Sequence, residues 1–425
     1  MARRYPAAVG AMTGRARLAV LGVLAAVGAL QVAGIAWERL TDPVPPAEGR
    51  PVLHGSWTDD FVQDYVSARA IADRDDPYGA TDALMDRYVG EGWERFHSVP
   101  DGQTNPHPPA QVLTALPLAW ASYQTARVVW LVLNAMLLAT SMGLFVRALG
   151  ASRAEAALGG IAVLALPVAA RHLWLGQSNA VILLLLVLAW RALRSGKGAR
   201  AGIALGLAAA LRLFPLFLVI PLLRRRALRP AAIAVGVAAL GTATGFAAAG
   251  FGSAGSFLEG ASANVAFWRG SPGNASLLAL PVRWLTGDRW GFGVVDAPVL
   301  ALTLVAAAAA ACVLAASRTP ARSSGEGFWA AVPWMLLAAP LFWDHYMVLL
   351  IPAATLALRT RLRHSGPWTL ACIVAAALVA LGEPRWAPRA IGDASVVDAL
   401  TTLALPAYGT LALAATEWGP AGEEP

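Results

Sequence analysis

Carboxylates are all but missing from the long apolar runs of this 425-residue chain, and the runs recur at the length of a bilayer crossing. Ala201–Leu223 and Val299–Ala316 are examples. About 20 apolar residues in a helix span the hydrocarbon core, where every backbone N–H and C=O must find its partner within the protein. Only 14% of the residues are charged, against about 25% in a soluble domain, and 57% are apolar. The chain is therefore read as an all-α polytopic integral membrane protein with about 10–12 spans, forming one transmembrane domain over residues 1–425.

The formal net charge of +7 is not spread as a nucleic-acid surface would require. Arginines gather in short turns between apolar runs: Arg191/Arg194/Lys197/Arg200, Arg224/Arg225/Arg226/Arg229 and Arg359/Arg361/Arg363. That is the pattern of cytoplasmic turns. The acids gather elsewhere. Between Glu38 and Asp101 there are fourteen Asp and Glu against six Arg. This first loop, 38–108, is expected on the outer face, with the N- and C-termini in the cytoplasm.

Leu18–Ala36, after Arg15 and Arg17, is long for a signal peptide and lacks a clear small-residue cleavage site, so it reads as an uncleaved first helix. Further spans are expected at about 125–147, 156–171, 179–193, 230–250, 297–317, 327–342, 346–358, 367–381 and 397–415. A single crossing at 201–223 would place Arg224/Arg225/Arg226 on the wrong side. Arg212 and Pro215 also interrupt it. A broken, re-entrant helix pair resolves both problems, and non-helical backbone at membrane depth implies a cavity beside it. The acidic loop should form short helices over Asp59–Arg74 and Thr81–Arg95, lying on the membrane surface. A second outer loop spans 251–296. Gly202-x-x-x-Gly206 and Gly241-x-x-x-Gly245 permit close helix packing. Cys312 and Cys372 lie in apolar runs and form no metal or disulfide pattern.

Chemistry concentrates at a few polar positions. In a helix Asp60 and Asp64 share a face one turn apart, with Asp59 adjacent. Crowded carboxylates near low dielectric push one pKa upward, which suits a base acting on a sugar hydroxyl. A solvated acidic loop is the plainer alternative. Arg212 is costly in an apolar run unless it serves a site, an interhelical ion pair or the interface by snorkelling. His345, between Trp343 and Tyr346, is either functional or part of an interfacial aromatic belt. Gln177 and Asn179 can bind sugar hydroxyls or cap the next helix. Arg171 and His172 can meet a phosphate or simply sit at an interface.

Six segments in order resemble glycosyltransferase family 87, membrane enzymes of the GT-C superfamily that include polyprenol-phosphate-mannose-dependent mannosyltransferases. They are Asp60-Phe-Val-Gln-Asp-Tyr65 with Asp76-Pro-Tyr78, Asn105-Pro-His107-Pro108-Pro109, Gly176-Gln177-Ser178-Asn179, Ala201-Gly202 with Arg212-Leu-Phe-Pro215, Asn274-Ala-Ser276 with Arg283, and Trp343-Asp344-His345-Tyr346. The resemblance covers about 55–360. Two positions depart from it: the family more often has Lys where Arg212 stands and Tyr where His107 stands.

The resemblance implies a GT-C fold and a catalytic Asp in the first outer loop, by motif position Asp60. Asp59 and Asp64 remain open as second choices. It implies an inverting transfer from a polyprenyl-phosphate sugar, mannose first and decaprenyl-phosphate-arabinose as the alternative, to a glycolipid or lipoglycan acceptor on the outer face of the cytoplasmic membrane. His345, Arg212, Gln177, Asn179, Tyr65 and Arg171 would bind the donor phosphate or sugar, with His107, Asn274 and Arg283 in second rank. No metal or cofactor is expected. The rival from another class is a lipid or solute transporter, which would explain the broken hairpin and Arg212 but not the acidic loop.

Overall fold

A computed structural model describes residues 13–41, 60–90, 103–271, 273–287, 295–319, 326–362, 367–381, 409–411 and 413. Asp59, the loop 382–396 and most of the span expected at 397–415 lie outside the described residues. Every regular element among them is helical: α1 (Gly14–Thr41), α2 (Phe61–Asp73), α3 (Thr81–Tyr88), α4 (Pro109–Ala115), α5 (Tyr123–Ala148), α6 (Arg153–Ala162), α7 (Pro167–Leu175), α8 (Asn179–Arg194), α9 (Gly198–Leu211), α10 (Val219–Arg224), α11 (Leu228–Ala249), α12 (Ser253–Trp268), α13 (Ala279–Leu285), α14 (Pro298–Ser317), α15 (Glu326–Ala330), α16 (Val332–Leu337), α17 (Ile351–Arg361) and α18 (Pro367–Leu381). Short 3₁₀ turns at Phe214–Leu218 and Asp344–Leu350 precede α10 and α17.

Four helices (α1, α5, α11 and α14) are individually long and apolar enough to cross a membrane. The pair α6 and α7, bent by 71° at a break just before Pro167, makes a fifth if it is counted as one span. Of the other expected spans, those at 179–193 and 367–381 are single shorter helices, α8 and α18, and those at 201–223, 327–342 and 346–358 are assembled from shorter pieces. The breaks at 212–214 and 338–344 line a cavity, as expected where an interrupted helix exposes backbone that only a polar interior can satisfy.

Glycine contacts fix the relative directions. On α5 and α6, Gly143 meets Ala156 and Gly160 meets Ala139, an antiparallel pair. On α9 and α11 the partners rise together: Gly202 lies against Pro230 and Ile233, Gly206 against Ala234 and Val237, and Ala210 against Gly241. These two helices are therefore parallel, and a Cβ at Gly202 or Gly206 would come within 2.6 Å of the facing backbone. A parallel pair requires the chain to return between Leu211 and Leu228, so residues 212–227 double back. The re-entrant pair expected at 201–223 is present, with Arg212 at its turning point in an extended conformation (φ −145°, ψ 132°).

The same contacts gather the basic turns at one end. Arg194 donates to the Ala148 carbonyl and Arg359 to the Leu149 carbonyl, and Arg17 pairs with Glu155. The acidic loop lies at the opposite end. There α2, α3 and α4 share an apolar cluster of their own, Phe61, Val62, Tyr65, Val66, Met85, Val112 and Ala115, which packs on Tyr123, Ala126 and Trp130 of α5. The short helices expected over Asp59–Arg74 and Thr81–Arg95 are present as α2 and α3, and the apolar side chains of α2 are covered by α4 and the Tyr123 end of α5.

Candidate active site

A cavity of about 1100 Å³ opens at the loop end of the bundle. Its polar lining includes Asp60, Gln63, His107, Arg171, Gln177, Arg212, Asp344, His345 and Tyr346. Its apolar and aromatic lining includes Phe214, Phe217, Ile220, Val235, Val265, Trp268, Met335 and Trp343.

Gly176 makes the polar lining possible. It ends α7 in the left-handed region (φ 65°), and a Cβ there would stand 2.9 Å from Cβ of Phe61. Glycine alone meets both demands without strain. The close approach lets the Asp60 amide donate to the Leu175 carbonyl at 2.8 Å. Trp130 stacks on Phe61 at 5.1 Å and donates to the Gly176 carbonyl at 2.6 Å. The start of α2 is thus fastened to the end of α7, and the next residue, Gln177, donates from Nε2 to Asp60 Oδ2. Asp60 occupies the N-cap position of α2 but does not cap it, so its carboxylate is turned to the cavity instead.

Arg212 reaches the same glutamine from the re-entrant tip. Its Nη2 donates to Gln177 Oε1 and contacts His107 Nε2, both at 2.9 Å, and its Nη1 donates to the Tyr346 hydroxyl at 3.2 Å. All three partners are neutral acceptors, and Arg212 makes no ion pair among the described residues. Arg171 differs: its Nε lies 3.2 Å from Asp344 Oδ2. Asp344 Oδ1 also accepts the His345 amide at 2.8 Å, which fixes His345 at the cavity wall with Nε2 unpartnered among the described residues.

Asp64 stands behind this lining. It is buried at 4% exposure and its oxygens are occupied: Oδ1 by His107 Nδ1 at 2.7 Å and Asn105 Nδ2 at 3.2 Å, Oδ2 by Gln111 Nε2 at 2.7 Å. Burial alone would raise its pKa, but the hydrogen bonds from His107 and Gln111 and the Arg212 charge together hold it below the ordinary carboxylate value. The crowding of acids expected to push a pKa upward therefore does not act on Asp64.

Asp60, Arg212, Gln177, His345, Arg171 and His107 thus meet at one cavity. Tyr65, Asn179, Asn274 and Arg283 do not line it. Tyr65 packs among Phe61 and Tyr123 and donates to the Ala121 carbonyl at 2.7 Å. Asn179 is buried at the start of α8 and approaches the His345 carbonyl at 3.4 Å. Asn274 ties its loop to Pro340 and Phe342 through hydrogen bonds of 3.0 and 2.9 Å. Arg283 is spent on the carbonyls of Gly270, Ser271 and Asn274. His172 is fully buried, with both ring nitrogens unpartnered among the described residues.

Asp344, Asn105 and Gln111 were not singled out from sequence. Asn105 and Asp344 lie inside quoted motifs, and Gln111 follows His107 by one helical turn, so position relative to the motif was the available signal.

A model of glycosyltransferase family 87 matches residues 105–342, more than half of the chain. The chain belongs to glycosyltransferase family 87. It is a membrane glycosyltransferase, and placement in the GT-C superfamily agrees with its all-helical architecture. No curated protein matches it. The matched region begins after the first-loop motif. Asp60 is joined to it by geometry, through the hydrogen bond from Gln177.

Proposed function

We propose that this enzyme transfers a sugar, mannose in the first instance, from a polyprenyl-phosphate donor to a glycolipid or lipoglycan acceptor, with inversion. The supporting observation is the pairing of Asp60 and Arg212 on opposite ends of one glutamine amide, in a cavity whose lining also carries many apolar and aromatic side chains.

Displacement with inversion needs a base on one face of the anomeric carbon and cations for the departing phosphate on the other. Asp60 takes the proton of the acceptor hydroxyl. That oxygen attacks the anomeric carbon as the bond to the phosphate oxygen breaks, and the bonding pair leaves on the lipid phosphate. Arg212, whose guanidinium meets only neutral acceptors, offers charge-assisted hydrogen bonds to that phosphate, with His345 and Arg171 beside it. Gln177 holds the two groups in register. The prenyl chain lies along Phe214, Phe217, Ile220 and Val235. The basic turns at the far end face the cytoplasm, so the site opens at the outer face of the cytoplasmic membrane.

The test is donor consumption by the reconstituted protein, given polyprenyl-phosphate-mannose and an extract of native membrane lipids. Mannose on a lipid acceptor supports the reading. Transfer from decaprenyl-phosphate-arabinose instead corrects the sugar, and movement of intact donor lipid across the bilayer with no transfer overturns the reading in favour of a transporter.

A further inference from the structure

We infer that His107, backed by Asp64, positions Arg212 for the donor phosphate while keeping the guanidinium free of any direct carboxylate. This deepens the reading above and rests on it.

Five side chains form one hydrogen-bonded line from the interior to the cavity: Asp64, His107, Arg212, Gln177 and Asp60. The line fixes the state of His107. Arg212 Nη2 is only a donor, so His107 Nε2, at 2.9 Å, must present its lone pair. The proton then sits on Nδ1 and is donated to Asp64 Oδ1 at 2.7 Å. Gln111 Nε2 also lies 2.8 Å from His107 Nδ1, but its hydrogen is directed to Asp64 Oδ2 at 2.7 Å. Turning that amide over would set two oxygens against each other. Asn105 holds the far side, donating to Asp64 and accepting the His107 amide at 3.0 Å, and Tyr78 donates to the His107 carbonyl at 2.9 Å. His107 is therefore a neutral imidazole with one tautomer imposed from behind, as a carboxylate imposes it on a catalytic or metal-bound histidine.

The arrangement separates two jobs that one carboxylate would combine. A carboxylate in direct contact would orient Arg212 but also neutralise it before any phosphate arrives. With the imidazole interposed, Arg212 is oriented by a lone pair and its charge remains available to the cavity. Asp64 stands one residue further back, with both oxygens occupied and no surface on the cavity, as counter-charge and not as base.

The amides of Asn and Gln separate the two faces of the ring. In His107→Asn the amide N–H replaces Nδ1 and serves Asp64, but the acceptor for Arg212 is lost. In His107→Gln the amide oxygen replaces Nε2 and serves Arg212, but the donor to Asp64 is lost. The expected result is an increase of about tenfold in donor KM for His107→Asn with kcat little changed, and a smaller increase for His107→Gln. Equal KM values, or the reverse order, would overturn the inference and leave His107 as a support for Asp64. A second measurement needs no donor. In thermal unfolding of the purified protein, His107→Asn is expected to lower the midpoint less in an Arg212→Ala background than in wild type. Strict additivity would overturn the inference even if the proposed donor proved wrong, whereas a wild type inactive with every lipid-phosphate sugar would overturn the donor alone.

Discussion

The re-entrant tip and the 269–283 segment each hold an arginine near the same cavity, yet they treat it in opposite ways. At the tip, Arg212 meets side-chain acceptors from three separate elements and faces the cavity. In the 269–283 segment, Arg283 is fully buried and meets only backbone carbonyls of that segment. Burial draws the Arg283 guanidinium down to about 10, still protonated at neutral pH, so it acts as a charged cross-link holding the turn in shape. The lesson is that an arginine in a motif is read by the partners its donors meet. Held by carbonyls of its own segment it builds the wall; held by side chains at a cavity it can meet a ligand. Asp60 and Asp64 divide in the same way.

Four substitutions or conditions would sharpen or break that contrast. Arg212→Ala is expected to have the largest effect, lowering kcat/KM for the lipid donor about 10- to 100-fold while the protein still folds. An unchanged kcat/KM would place Arg212 with Arg283 as scaffold. Arg283→Met is expected to do the converse, destabilising the fold by about 3 kcal/mol because three carbonyls lose a charged donor, with donor KM of the folded fraction unchanged. A selective rise in KM there would erase the distinction.

The pH dependence of stability tests Asp64. Its folded pKa lies below the ordinary 3.8, so its contribution is complete above that value and is lost only as pH falls through the lower folded value. Thermal unfolding of wild type and Asp64→Asn should therefore converge only below pH about 4. Convergence near pH 6 would mean a raised pKa and a carboxyl suited to proton transfer. The smallest effect is expected from Tyr65→Phe: about 1 kcal/mol of stability from the lost bond to Ala121, and no change in transfer rate.

Much of this was legible in the sequence. The apolar period, the arginine turns and the interruption at Arg212–Pro215 led to the polytopic helical fold and the re-entrant pair, because each reflects a local constraint of lipid on backbone and charge. The cavity-lining residues Asp60, Gln177, Arg212 and His345 were also within reach of motif position. What the sequence did not separate were residues whose role depends on which side of a helix faces the cavity. Asp60 and Asp64 share a motif, and only the packing of α2 against α4 and α7 turns one to the cavity and the other to Asn105, His107 and Gln111. Tyr65 and Arg283 lie in the motifs but bond backbone carbonyls outside the cavity, Tyr65 that of Ala121 and Arg283 those of Gly270, Ser271 and Asn274, contacts that the motif pattern does not encode.

The measurement that bears most directly on this account is sugar transfer by reconstituted Asp60→Asn, with abundance and lipid-phosphate binding matched to wild type. The account predicts a fall of about 10²- to 10⁴-fold in transfer with binding retained, the cost of losing a general base. Transfer at the wild-type rate would contradict it and return the choice of base to the other acids of the first loop.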